Sequence, residues 1–165
     1  MAAYRLKQQL VNNMSEQTSQ SERDEFREYC QRWLEENRPP PTKIPLPQNA
    51  YEVTFHDHRT YLCDWQAKCY EAQLIGTDVP QDYGGHGHTE FQAIASAEVR
   101  KANVPYFINW IGLGMTAPTL LIHGTEEQKK RFLPPIFSAE EIWCQGFSEP
   151  GAGSDLVSLQ TSAIK

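Results

Sequence analysis

Near residue 141 the hydrophobic period of this chain changes from helical to strand-like, and a turn signature follows at once. Residues 141–147 mix Ile142, Trp143 and Phe147 with smaller residues, which suits a half-buried strand. Pro150 then removes a backbone donor, and Gly151 and Gly153 tolerate positive φ and carry no Cβ. With Ser148, Ser154 and Asp155 alongside, this turn lets backbone N–H groups approach a bulky polar ligand. As chemistry it is a cofactor-contacting turn; the plain alternative is a tight turn leaving a sheet.

Before that point the pattern is helical. Ser21 and Asp24 form a capping-box pair opening a helix over 21–36, with Phe26, Tyr29, Cys30, Trp33 and Leu34 on one face. Asn37 and the prolines at 39, 40 and 41 end it, and an extended connector runs to residue 50. A second helix is predicted over 57–73, with Leu62, Trp65, Cys69 and Ala72 inward and Gly76 beyond its end. Thr89 and Gln92 cap a third through Lys101 that buries Phe91, Ile94 and Ala95. Residues 106–122 are strongly apolar and form the expected centre of the bundle, with a kink or a close backbone approach expected where Gly112, Gly114 and Pro118 interrupt them. Thr125 with Gln128 caps a last short helix, expected to end at Pro134–Pro135.

Bulk properties exclude several functions. Fifteen Lys and Arg against 21 Asp and Glu give a net charge of −6 with no basic run, which argues against nucleic acid. No stretch is long and apolar enough for membrane insertion. Residues 1–20 are too polar for a signal peptide and read as a disordered lead-in. The four cysteines lack CxxC spacing, which points to a reduced, cytoplasmic setting. Cys144 is expected in the core, since no adjacent group lowers its pKa. His56, His58, His86 and His88 invite a metal reading, but no further Cys or carboxylate recurs at ligand spacing, so they are read as solvated loop histidines.

Three motifs carry a resemblance. The run from Ser148 through Glu149, Pro150, Gly151, Ala152, Gly153 and Ser154 to Asp155 resembles the flavin-contacting segment of acyl-CoA dehydrogenases. The stretch from Val79 and Pro80 through Tyr83, Gly84 and Gly85 to Gly87 is similar to that family's Pro-x-x-Tyr-Gly-Gly-x-Gly loop. The third, from Gly124 and Thr125 through Gln128 and Lys129 to Leu133 and Pro134, is similar to a helix start in the same family. The resemblance spans about residues 21–165 and implies a mostly α fold. It places a lead-in at 1–20, an N-terminal helical bundle at 21–137, and the first strands of a truncated middle β-domain at 138–165.

The activity implied is that of an FAD-dependent oxidoreductase of fatty-acid metabolism, converting an acyl-CoA to the trans-2-enoyl-CoA with hydride transfer to flavin N5. The implied FAD contacts are Gln145, Gly146, Phe147, Ser148, Glu149, Pro150, Gly151, Ala152, Gly153 and Ser154, with Ser154 also touching the acyl-CoA. Ser148 stands where many members have Thr, a replacement that retains the hydroxyl. The Gly112/Gly114 stretch is expected to line the acyl channel, and the Tyr83–Gly87 loop to form part of the cavity wall. No catalytic base and no metal ligand is assigned, and this portion alone is expected to be inactive. Electron-transfer flavoprotein and a homo- or hetero-oligomeric assembly are the implied partners of the complete enzyme. A non-catalytic helical module that binds a partner, and a subunit completed by a second polypeptide, are the alternatives.

Overall fold

The computed structural model describes residues 19–88 and 90–164. The lead-in reading for 1–20 falls almost wholly outside the described residues, and the Thr89 half of the Thr89/Gln92 cap does so too. Among the described residues, five helices carry the fold. They are α1 (Gln20–Glu36), α2 (His56–Glu71), α3 (Phe91–Lys101), α4 (residues 110–123) and α5 (Glu126–Ser138). Within α4, Gly112–Thr116 is π-helical and Ala117–His123 α-helical. α1 lies against α3, α2 against α5, and α4 against α5.

The capping box of α1 lies two residues earlier than Ser21 and Asp24. Ser19 accepts from Glu22 N–H at 3.2 Å, and the Glu22 carboxylate accepts from Ser19 N–H at 2.7 Å. A glutamate at the third helical position reaches back to the cap backbone. Asp24, the shorter carboxylate, is occupied by Gln20 at 3.0 Å and by Arg27. Phe26, Cys30 and Leu34 then recur every four residues into a core with Trp65, Cys69, Leu133, Ile136 and Phe137.

At α3 the described cap comes from another segment: Asp78 accepts Gln92 N–H at 2.9 Å. The Gln92 side chain turns instead to Thr77 N–H, Leu74 O and Ser96. Glu98 on this helix is buried, and Lys101 donates to it at 2.7 Å and Gln31 at 3.1 Å. The Lys101 hydrogen bond, foremost, holds the Glu98 carboxyl below its ordinary value despite burial. Its contribution to stability is therefore complete above about pH 4.3, the unfolded value, and is lost as pH falls through the lower folded value. Glu98→Gln should flatten the acid limb of a stability-versus-pH curve; an unchanged limb would show that this carboxylate adds nothing.

In the apolar helix the glycine-containing stretch is π-helical, and this has an identifiable cause. Pro118 cannot donate to the carbonyl four residues back, and the i→i+5 bond from Ala117 N–H to Gly112 O opens a wider turn just ahead of it. The helix expected to stop at Pro134–Pro135 runs on to Ser138. Each internal proline costs a bond, on the order of 3 kcal/mol. Burial of Leu133, Ile136 and Phe137 outweighs that cost. Gln66 of α2 adds bonds to Ile136 O and Phe137 O, both at 3.1 Å. Ala139, left-handed at φ 61°, turns the chain out of α5.

The strand expected over 141–147 makes no ladder among the described residues. That segment runs without regular structure, and the one bridge in the region joins Glu149 to Ala152. A strand exists through its partner's hydrogen bonds, and no described segment lies beside this one to provide them.

Candidate functional site

A buried amide pair sets where the chain leaves the bundle. Gln66 on α2 and Asn109 at the entry to α4 are both fully buried. Asn109 N–H donates to Gln66 Oε1 at 3.1 Å. Asn109 Nδ2 donates to Ile136 O at 3.0 Å and to Glu141 O at 2.8 Å, while its Oδ1 accepts Trp143 N–H at 2.9 Å. One side chain thus pins residues 141–143 to the ends of α4 and α5. Arg131 pairs with Glu141 at 2.6 Å, and Trp143 meets the Phe132 ring edge-on at 5.4 Å. Gly112 follows from the same arrangement, because a Cβ there would lie 2.4 Å from Asn109 Oδ1. Asn109 was missed in the sequence; its one signal is a lone amide between Ile108 and Trp110 in an apolar run.

The segment so anchored leads into the Gln145–Ser154 turn. Glu149 and Ala152 exchange backbone bonds at 3.1 and 3.0 Å around Pro150 and Gly151. Among the described residues, the backbone N–H groups of Gly146, Phe147, Ser148, Gly153 and Ser154 donate to no protein acceptor. A Cβ on Gly146, Gly151 or Gly153 would meet nothing within 4 Å, so this face is open. Neither Gly151 nor Gly153 uses the positive φ that glycine tolerates. Their role rests on access alone. Glu149 is engaged within the chain, accepting Gln160 N–H at 2.9 Å and Thr161 N–H at 2.8 Å. Thr161 also donates through its hydroxyl, the foremost of the bonds that lower the Glu149 carboxyl below its ordinary value.

Beside α4 lies a groove of about 630 Å³, within the range of ligand pockets. Its walls come from Ile75, Val79, Phe107, Leu113, Leu121 and Phe137, with Gln92, Ser96 and Arg100 of α3 along one side. Gly114 lines it and faces open space. Gly112 does not line it, being packed on Asn109. Of the two glycines expected to line a channel, Gly114 alone lines this groove.

The Tyr83–Gly87 loop is not among the groove's lining. It packs on α5, with Gly84 against Pro134, and Tyr83 donates to Glu126 at 2.6 Å. That bond is the main reason the Tyr83 hydroxyl is raised above its ordinary pKa. At Gly85 a Cβ would sit 2.0 Å from Val79 O, so only glycine fits there. The preceding residues, Ile75, Gly76 and Val79, supply the wall instead.

The histidines are not all solvated. His58 is 4% exposed with Nε2 3.0 Å from Ile44 O, and half-buried His86 lies 3.1 Å from Tyr70 O. Burial lowers the His86 pKa. Among the cysteines the expectation reverses: Cys144 is exposed, because the segment carrying it leaves the bundle. Cys30 and Cys69 are the core thiols, and burial pushes Cys30 up to about 12.

Comparison with known proteins places this geometry. Residues 20–140 match the family described as acyl-CoA dehydrogenase, N-terminal domain. The acyl-CoA dehydrogenase IpdE1 of Mycobacterium tuberculosis is 35% identical over 145 residues, covering 85% of this chain and 36% of that protein. The mitochondrial isovaleryl-CoA dehydrogenase of Solanum tuberosum is 37% identical over 97 residues, 54% of this chain and 22% of its own length. Among solved structures, the ChsE4–ChsE5 complex of Mycobacterium tuberculosis superposes with a TM-score of 0.59 at 25% identity, over 90% of this chain and 36% of that one. The Tcur3481–Tcur3483 steroid ACAD gives 0.61 at 26%, over 89% and 37%. The chain thus spans about a third or less of the length of these relatives.

Proposed function

The chain belongs to the acyl-CoA dehydrogenase family through that family's N-terminal domain, and we propose that it forms the helical part and the cofactor-facing turn of an FAD-dependent enzyme oxidising an acyl-CoA to the trans-2-enoyl-CoA. The family match over residues 20–140 carries this reading. The donor set of the turn fits a flavin: exposed backbone N–H groups, the Ser148 hydroxyl and glycines whose missing Cβ leaves room. Bound FAD supplies a hydride acceptor. This chain's task is to hold it, through Gln145 to Ser154, with Ser154 also reaching the thioester.

The rest of the chain works on substrate and water. The apolar groove beside α4 takes the acyl group and excludes solvent from it. Asn109 fixes the direction in which residues 141–143 approach the turn. No glutamate here is assigned as the base; that carboxylate belongs to the family architecture beyond this domain, so residues 19–164 alone are expected to be inactive. Phe147, Leu156, Val157 and Ile164 are exposed, at 69%, 52%, 96% and 96%. Such a run calls for a covering surface, which supports completion by further β-structure or by a second subunit. On the family reading, the complete enzyme is a cytoplasmic oligomer that passes electrons to electron-transfer flavoprotein. No described helix is long and apolar enough to cross a membrane.

Two variants of the holoenzyme test the turn. Ser148→Ala removes one hydroxyl and should weaken flavin binding by about 0.5–1.5 kcal/mol, roughly two- to twelvefold. Gly153→Val places a branched side chain on the open face without straining the backbone. It should release flavin more completely, read as lost absorbance near ~450 nm, while helical circular dichroism stays unchanged. If Ser148→Ala proved the more damaging, the turn would not be a backbone cradle.

A further inference from the structure

The groove beside α4 has one polar wall, and that wall is uneven. Gln92, Ser96 and Arg100 follow one another along about 12 Å of α3 at four-residue spacing. Gln92 is fully used, donating to Leu74 O and Ser96 and accepting from Thr77 N–H. Arg100 is the one charged residue lining the groove. Among the described residues no carboxylate lies within 4.0 Å of it, although neighbouring cations are matched: Arg23 with Glu90, Arg27 with Asp24, Lys101 with Glu98. Phe107, Leu113 and Leu121, which also line the groove, offer no anion. Gly114, with open space where its side chain would project, widens the groove beyond what a thin alkyl chain needs.

Resting on the acyl-CoA reading above, we infer that this groove takes a bulky acyl group carrying a carboxylate remote from the thioester, and that Arg100 is the residue that selects it. A guanidinium presents a planar fork that matches a carboxylate with two parallel bonds. Arg100 is exposed, so the pair forms at the groove's mouth, where a charge acts on selection of the acyl group more than on raw affinity. The phosphates of CoA lie beyond the pantetheine arm, so an acyl group that fills the groove keeps them outside it. An anion beside Arg100 is therefore part of the acyl group.

The test uses the FAD-loaded holoenzyme containing this chain and two CoA thioesters of equal length, one ending in a carboxylate and one in a methyl group. The carboxylate-ended thioester should have the higher kcat/KM. Arg100→Gln should lower that value about two- to fivefold, chiefly through KM, while the methyl-ended thioester is unchanged. Arg100→Lys should recover part of the loss. Equal kcat/KM for the two thioesters, or equal loss on both in Arg100→Gln, overturns the inference and leaves the dehydrogenase reading standing. A loss on both that vanishes when pantetheine replaces CoA assigns Arg100 to the phosphates and also overturns it. Oxidation of neither thioester by wild-type holoenzyme refutes the dehydrogenase reading, and this inference with it.

Discussion

Asn109→Leu should lower the unfolding free energy by about 2–4 kcal/mol, because two half-buried backbone groups lose their partner at once and Ile136 O is left with Gln66 alone. Ile136 O and Glu141 O lose a donor, and Trp143 N–H loses an acceptor. For a chain of this size that corresponds to a melting temperature lower by roughly 5–15 °C. Asn109→Asp distinguishes this account from simple packing. It preserves shape yet turns the amide donor facing two carbonyls into an acceptor, so it should be at least as damaging at neutral pH. Residues 141–147 should also become the first site of proteolytic cleavage in both variants. If Asn109→Asp melted with the wild type, the amide network would not be what anchors the exit segment.

Trp65→Ala should be more severe in stability alone, at about 3–5 kcal/mol, which is a large part of what a domain of this size has. Trp65 is 1% exposed, stacks on Trp33 with centroids 5.8 Å apart, and donates to Pro105 O at 2.9 Å. Truncation leaves a cavity between α1 and α2 and orphans that carbonyl in the connector from α3 to α4. Trp65→Phe keeps most of the volume and should cost far less. Urea denaturation separates the two variants; a loss below 1 kcal/mol for the alanine would mean that the core closes around the gap.

The helices were legible because their signals are local. Phe26, Cys30 and Leu34 repeat at the helical period, and Thr125 with Gln128 forms its cap within four residues. The interruption of regular α-helix between Gly112 and Pro118 was legible for the same reason, since proline's missing donor acts on its own turn. The cap of α1 was misplaced by two residues because two Ser-x-x-acid pairs compete there, and only the glutamate reaches back. The continuation of α5 past two prolines was not legible, since it depends on Gln66 and on burial supplied from α2.

At the site the division is similar. The residue types of the Gln145–Ser154 turn, and with them the family, belong to the sequence alone, because a turn's chemistry is contained in the turn. Tertiary structure decided the rest. It put Cys144 outside and Cys69 inside, sent Gly112 to Asn109 and Gly114 to the groove, and brought Arg100 beside Phe107 and Leu121. It also left residues 141–147 without a strand ladder. The physical reason is common to all of these. Turn and cap preferences act within a few residues, whereas exposure, ladder pairing and the facing of one side chain to another depend on partners distant in the chain, and no local pattern records where those partners will lie.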